Sequence, residues 1–116
     1  MECKKATTIW DRAEELLAKL GATFVDDRYT RDGKYWTSAG VTAGMDMSLA
    51  MMNEIFGEGY TQGVMLDMEY DPSPPIEGGS PEKTKPEVLN MMQTMYDMDV
   101  QPLMDSLDNV DAEYSE

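Results

Sequence analysis

The chain has no histidine and a single cysteine, Cys3, among its 116 residues. No internal disulfide can form. Most structural zinc sites are excluded, and so is any Cys–His or Ser–His catalytic pair within these residues. No apolar run approaches the ~20 residues that a membrane-spanning helix needs. The start, MECKKATTIW, has two lysines with no apolar stretch behind them. It does not read as a secretory signal, so a cytoplasmic setting is expected. Basic residues are scarce throughout and scarcest in the second half. Residues 1–56 carry 7 basic and 9 acidic groups, whereas residues 57–116 carry 2 basic groups, Lys83 and Lys85, against 14 acidic ones. Nucleic acid and anionic membrane surfaces would be repelled by that half, so neither is an expected partner. It reads first as a solvated, solubilising segment and second as an acidic arm for a protein partner.

Hydrophobic residues make up 41% of the chain, enough for one modest core. Ala6-Thr7-Thr8 is a short β-prone stub. Thr8 and Asp11 have the spacing of an N-terminal cap, so a helix is predicted from Thr8. Ala13, Leu16, Leu17 and Leu20 would face a sheet, with Glu14, Glu15 and Lys19 toward water. Gly21 stands where a left-handed C-terminal residue is wanted. Residues 22–25 are β-prone. Asp32-Gly33 between the β-prone runs 28–31 and 34–37 predicts a hairpin with a type I′ turn.

After the small residues Ser38-Ala39-Gly40, a helix is predicted over about 42–56. Met45, Leu49, Met52 and Phe56 share one face, and Met47, Met51 and Ile55 widen the apolar surface beyond a single stripe. A helix this apolar is usually covered on two sides. Tyr60 to Met68 fits either a helix or a strand. Residues 71–81 contain three prolines within four positions and read as an extended linker. Pro86 opens a last helix with Val88, Met91, Met92 and Met95 on its apolar face. Pro102 is expected to interrupt it before a weak turn over Leu103 to Val110.

Several of these segments, taken in order, resemble the DJ-1/PfpI family, closest to its isonitrile-hydratase-like branch. The resemblance spans about Lys4 to Pro86. It rests on Lys4-Lys5-Ala6-Thr7-Thr8, Gly21-Ala22-Thr23, the Arg31-Asp32-Gly33-Lys34 turn, and most specifically Thr37-Ser38-Ala39-Gly40-Val41-Thr42-Ala43-Gly44-Met45-Asp46 with its following apolar helix. Met68-Glu69-Tyr70-Asp71-Pro72, Pro74-Pro75 and Gly79-Ser80-Pro81 add to it. The resemblance implies a partial α/β fold, a flavodoxin-like (class I glutamine amidotransferase-like) sandwich lacking its N-terminal strands. Residues 1–85 would be the C-terminal half of that domain, and residues 86–116 an acidic, methionine-rich helix and tail. Members of the family use a nucleophilic cysteine on a tight strand-to-helix turn, an assisting carboxylate from near the N-terminus, and often a histidine after the Thr-Thr pair. They hydrate isonitriles or act on α-ketoaldehydes, commonly as homodimers.

Against that pattern the elbow and the assisting carboxylate are missing here, and Ile9 stands where the histidine often sits. Isoleucine neither accepts nor donates a proton. No catalytic residue is therefore assigned, and no cofactor or metal is expected. By resemblance, Thr8, Ile9, Trp10, Gly40, Val41 and Thr42 would line the remaining wall of a pocket. Cys3 reads as an incidental surface thiol despite the neighbouring Lys4 and Lys5. Asp97 and Asp99 fail as a calcium loop, because the required glycine and terminal glutamate are absent. Met45, Met47, Met51 and Met52 read as core filling, while Met91, Met92, Met95 and Met98 suit either a core or an adaptable binding surface. Two functions follow. One is a DJ-1/PfpI-like protein without catalysis as an isolated chain, whose uncovered helix needs a second copy or a companion N-terminal half. The other is a small, acidic, methionine-rich module that binds a protein partner through residues 86–110.

Overall fold

A computed structural model describes residues 3–114, with side chains through Val110. The elements run β1 (Lys5–Ala6), α1 (Ala13–Lys19), β2 (Thr23–Phe24), β3 (Tyr29–Asp32), β4 (Tyr35–Ser38), α2 (Val41–Phe56), α3 (Glu58–Asp67), a 3-10 turn (Pro81–Lys83) and α4 (Pro86–Tyr114). The strands form two separate two-stranded ladders. β1 pairs with β2 in parallel, and β3 pairs with β4 antiparallel. The reason lies on the free edge of β1. Its Lys5 N–H donates to Asp32 Oδ2 at 2.8 Å, and the Thr7 N–H donates to Thr37 Oγ1 at 2.9 Å. Side chains of the hairpin thus satisfy the amides that a third strand would have paired. Thr30 and Thr37 hydroxyls meet at 2.7 Å and complete this partly buried polar seam.

The hairpin falls where Asp-Gly predicted it, with a different turn. Asp32 pairs with Tyr35, so the central residues are Gly33 and Lys34. Positive φ occurs at Gly33 (62°) and not at Lys34. That sign pattern belongs to a type II′ turn, which needs glycine at its first central position only. Asp32 remains in the strand because its carboxylate is engaged by the Lys5 amide.

The first helix starts at Ala13, five residues later than its predicted cap at Thr8. Asp11 is turned inward, 5% exposed, and the cap position is taken by Arg12 in the left-handed region with φ 53°. The Arg12 guanidinium bonds Glu15 Oε1 at 2.9 Å and Gln101 Oε1 of α4 at 2.9 Å, which holds a backbone conformation that otherwise costs on the order of 1 kcal/mol. Ala13 and Leu17 are buried as the spacing requires, and Gly21 is left-handed. Leu20, expected on the same face, is exposed. It lies past the last helical residue, where the chain has already turned away.

α2 starts one residue before its predicted position and ends at Phe56 as predicted, and residues 58–67 resolve as the helix α3. α2 lies on the hairpin. Gly44 permits this approach, since a Cβ there would stand 3.3 Å from Ser38 Oγ. Among its residues only Ala43 is fully buried. Met47, Met51 and Met52, expected as core, are half-covered, while Met45, Ile55 and Phe56 are exposed, as are Tyr60 and Leu66 of α3. The apolar breadth of α2 therefore has cover on one side only. The same shortage shows in the whole chain. Its accessible surface is 8631 Å², against roughly 6,300 Å² for a compact chain of this mass. Its radius of gyration is 17.2 Å, against about 13 Å.

α4 runs through Pro102 without interruption, contrary to expectation. Proline removes one helical hydrogen bond, to the Met98 carbonyl, and both residues lie on the exposed side where water can take its place. What holds the helix across the break is its other face. Met104, the most deeply buried large side chain described, packs inward; Trp10 meets Tyr96 edge-on at 5.5 Å; and Lys19 pairs with Asp108.

One contact in this interface is unfavourable. Asp11 of the α1 approach faces Asp97 of α4, and Asp11 Oδ2 and Asp97 Oδ1 are both buried without a partner. Burial raises the Asp11 carboxyl above its ordinary range, and the facing Asp97 carboxylate raises it further, because the two acceptors can bond only when a proton lies between them; Arg12 opposes them. A carboxyl raised in the folded state stabilises the fold below its unfolded value, and that contribution is lost as pH rises through the folded value.

Two outcomes are expected. Asp97→Asn places an amide donor against the orphaned Asp11 oxygen. It should raise the urea midpoint near neutral pH and reduce the loss of stability between acid and neutral pH. Pro102→Ala restores a helical hydrogen bond and should stabilise the chain by about 2–3 kcal/mol in the same denaturation experiment. An unchanged midpoint would mean that α4 does not run through position 102.

Candidate functional site

Three strands send their carboxyl ends toward one place. β1 continues into Thr7 to Trp10, β2 into Asp26 to Arg28, and β4 into Ala39-Gly40, from which α2 starts. Ligands of open α/β folds gather outside the carboxyl ends of strands for this topological reason. A cavity of about 410 Å³ lies there. Its apolar wall comes from Ile9, Trp10, Ala13, Phe24 and Ala43, and its hydroxyls from Thr7, Thr8, Thr42 and Ser80. Asp26, Asp27 and Glu82 give it an acidic rim.

Of the six wall residues expected from the sequence, Thr8, Ile9, Trp10, Gly40 and Thr42 meet at this cavity. Val41 does not: its side chain is 86% exposed, on the outer side of the first turn of α2. Trp10 is fixed by its edge-on contact with Tyr96, so α4 supports the wall from behind. Cys3 is exposed and does not line the cavity.

Gly40 caps α2 without a side-chain hydrogen bond, and the first turn of α2 carries no acidic residue. The positive end of that helix thus has no compensating group on α2 itself, and the nearby carboxylates are those of Asp26, Asp27 and Glu82 on the same cavity. Among the described lining residues the cation is Arg28, and it is engaged elsewhere. Its Nη2 and Nε donate to Asp46 Oδ2 at 2.7 and 3.2 Å, while the Tyr70 hydroxyl donates to Asp46 Oδ1. The Tyr70 hydrogen bond, then Arg28, hold the Asp46 carboxyl below its ordinary range, and the same bond raises the Tyr70 phenol. This triad ties the loop after β2, the helix α2 and the segment after α3 together. The cavity can thus receive a small ligand against an apolar wall with hydroxyl donors. It offers neither thiol nor imidazole. Among the described residues no group of three or more His, Cys, Asp or Glu side chains is placed to hold a metal ion, and no helix is long and apolar enough to cross a membrane.

Sequence reasoning missed the contributions of Phe24, Arg28 and residues 79–82. Gly79-Ser80-Pro81 was read as the end of the 71–81 linker and as part of the family resemblance, without a place at the cavity. Arg28 gave no local signal, because its partner Asp46 lies 18 residues away.

No protein-family model matches the chain. Over 90 residues, 78% of its length, it is 41% identical to the isonitrile hydratase of Pseudomonas putida, of which it covers 39%. The crystal structure of a ThiJ/PfpI family protein from Pseudomonas syringae matches 94% of the chain with a TM-score of 0.79 and 33% sequence identity, over 43% of that protein. The chain spans about two fifths of the length of each of these relatives. Agreement between a sequence match and a structural match, both within the same family, makes this chain a relative of the DJ-1/PfpI proteins that carries part of their α/β fold.

Proposed function

We propose that this chain supplies one wall of a DJ-1/PfpI-type pocket and is not catalytic by itself. The supporting observation is the composition of the cavity, where Thr8, Ile9, Trp10, Gly40 and Thr42 meet around a space whose described lining includes no cysteine and no histidine. Ile9 fills with hydrocarbon the place where a proton-transferring group would be useful. The uncapped start of α2 remains suited to a partial negative charge. In this reading residues 1–85 correspond to the C-terminal half of the family domain. α4 backs Trp10 through Tyr96, and most of it falls within the stretch that the ThiJ/PfpI structure matches.

The same reading accounts for the uncovered face of α2 and α3. Burying four or five large side chains there is worth on the order of 8–12 kcal/mol, comparable with the entire stability of many small domains. We infer that a second copy of this chain, or a companion chain carrying the N-terminal half of the domain, covers that face. The setting that suits it is cytoplasmic.

The test is turnover of an isonitrile, and of methylglyoxal, by the purified chain. The expected result is no rate above that of buffer, unchanged by Cys3→Ser. A saturable activity abolished by Cys3→Ser would overturn both the non-catalytic reading and the assignment of Cys3 as an incidental thiol.

A further inference from the structure

α4 has two apolar faces. One, carrying Leu89, Met92, Tyr96, Val100, Met104 and Leu107, is turned inward. The other carries Val88, Met91, Met95 and Met98, which are 40%, 56%, 54% and 73% exposed. Their spacing of i, i+3, i+7 and i+10 aligns them along about three turns, roughly 15 Å. Isolated exposed apolar residues are ordinary, but a continuous stripe of four marks a contact surface. Methionine suits such a surface because its unbranched, polarisable side chain adapts to differently shaped partners.

The margins of the stripe say what it takes. At 100° per residue Glu87 lies beside the start of the stripe on one side and Asp99 beside its end on the other, Asp105 continues Glu87's side about 10 Å past Met98, and the exposed Lys85 stands just before the helix. Residues 86–114 contain seven carboxylates and neither lysine nor arginine. A second copy of this chain would bring the same carboxylates against these and be repelled. A basic amphipathic helix instead presents an apolar stripe to the methionines and cations to both margins.

We propose that the Val88–Met98 face of α4 is a docking surface for a basic amphipathic helix of a partner protein. It is distinct from the α2–α3 face and does not depend on the pocket reading. The charge supplies attraction at long range and the thioethers the contact area. Both parts are needed, because exposed ion pairs alone contribute little.

The test uses the whole chain and a fluorescein-labelled designed helix about four turns long, with leucines on one face and lysines on the other. Anisotropy titration is expected to give saturable binding that weakens as salt is raised. A scrambled peptide of the same composition should bind at least about tenfold more weakly, and a version with Glu in place of Lys should not bind. Met91→Gln/Met95→Gln/Met98→Gln should lower affinity by at least about tenfold while leaving the circular dichroism spectrum unchanged. Methyl NMR of the unaltered chain gives an independent reading, since Met91, Met95 and Met98 signals should shift on titration and that of Met104 should not. Equal binding of the scrambled peptide, or methyl shifts spread over all methionines, would overturn the proposal. So would shifts of the same three methyls on raising the concentration of the chain alone, which would identify a second copy as the occupant.

Discussion

The helix α2 carries apolar side chains around most of its circumference, and the chain provides a packing partner for one side only. Nearly every other feature is a response to that shortage. The hydrophobic residues fully buried among those described are mostly small, alanines at 6, 13, 22 and 43 with Leu17 and Met104. Alanines allow close approach but contribute little buried area. Structural specificity therefore comes from polar ties, from the threonine seam between the two ladders to the Arg28–Asp46–Tyr70 group. Hydrogen bonds of this kind position elements well, yet each adds only about 1 kcal/mol net. A fold organised in this way is well placed locally and poorly covered as a whole.

The cavity inherits its character from the same arrangement. The two ladders are joined by side chains that reach across to β1, and this tie turns three strand ends toward the start of α2. The positive end of a helix, several hydroxyls and an aromatic wall are what remains when a pocket is built from these elements alone. The described wall holds hydroxyls and carboxylates but no thiol or imidazole, so cysteine- or histidine-based chemistry there would need another element.

Much of the fold was legible from local pattern. The hairpin, both ends of α2, the start of α4 and the left-handed Gly21 all follow from residue spacing and turn chemistry. What escaped prediction depended on partners distant in sequence. Asp11 was read as part of a cap because Thr8 stands three residues before it, but Asp11 is buried against α4 and Arg12, held by Glu15 and by the distant Gln101, takes the cap position, so α1 starts at Ala13. Asp-Gly implied a type I′ turn, whereas the bond between Asp32 and the Lys5 amide keeps Asp32 in the strand and moves the turn to Gly33-Lys34. Pro102 looked like a breaker, and helix propensity alone says so. Tertiary support from Met104 and the Lys19–Asp108 pair outweighs it. Five of the six expected wall residues meet at the cavity. The exception, Val41, shows the limit of carrying a linear motif onto a helix, where neighbouring positions point about 100° apart.

The central claim is that the α2–α3 face is built to be covered by another chain. It is tested most directly by size-exclusion chromatography with light scattering over a dilution series, with binding of the dye ANS followed in each fraction. The expected result is a mass above that of the monomer at high concentration. On dilution a monomer should appear whose ANS fluorescence rises as the covering chain is lost. A well-folded monomer at every concentration, with no ANS fluorescence, would contradict it.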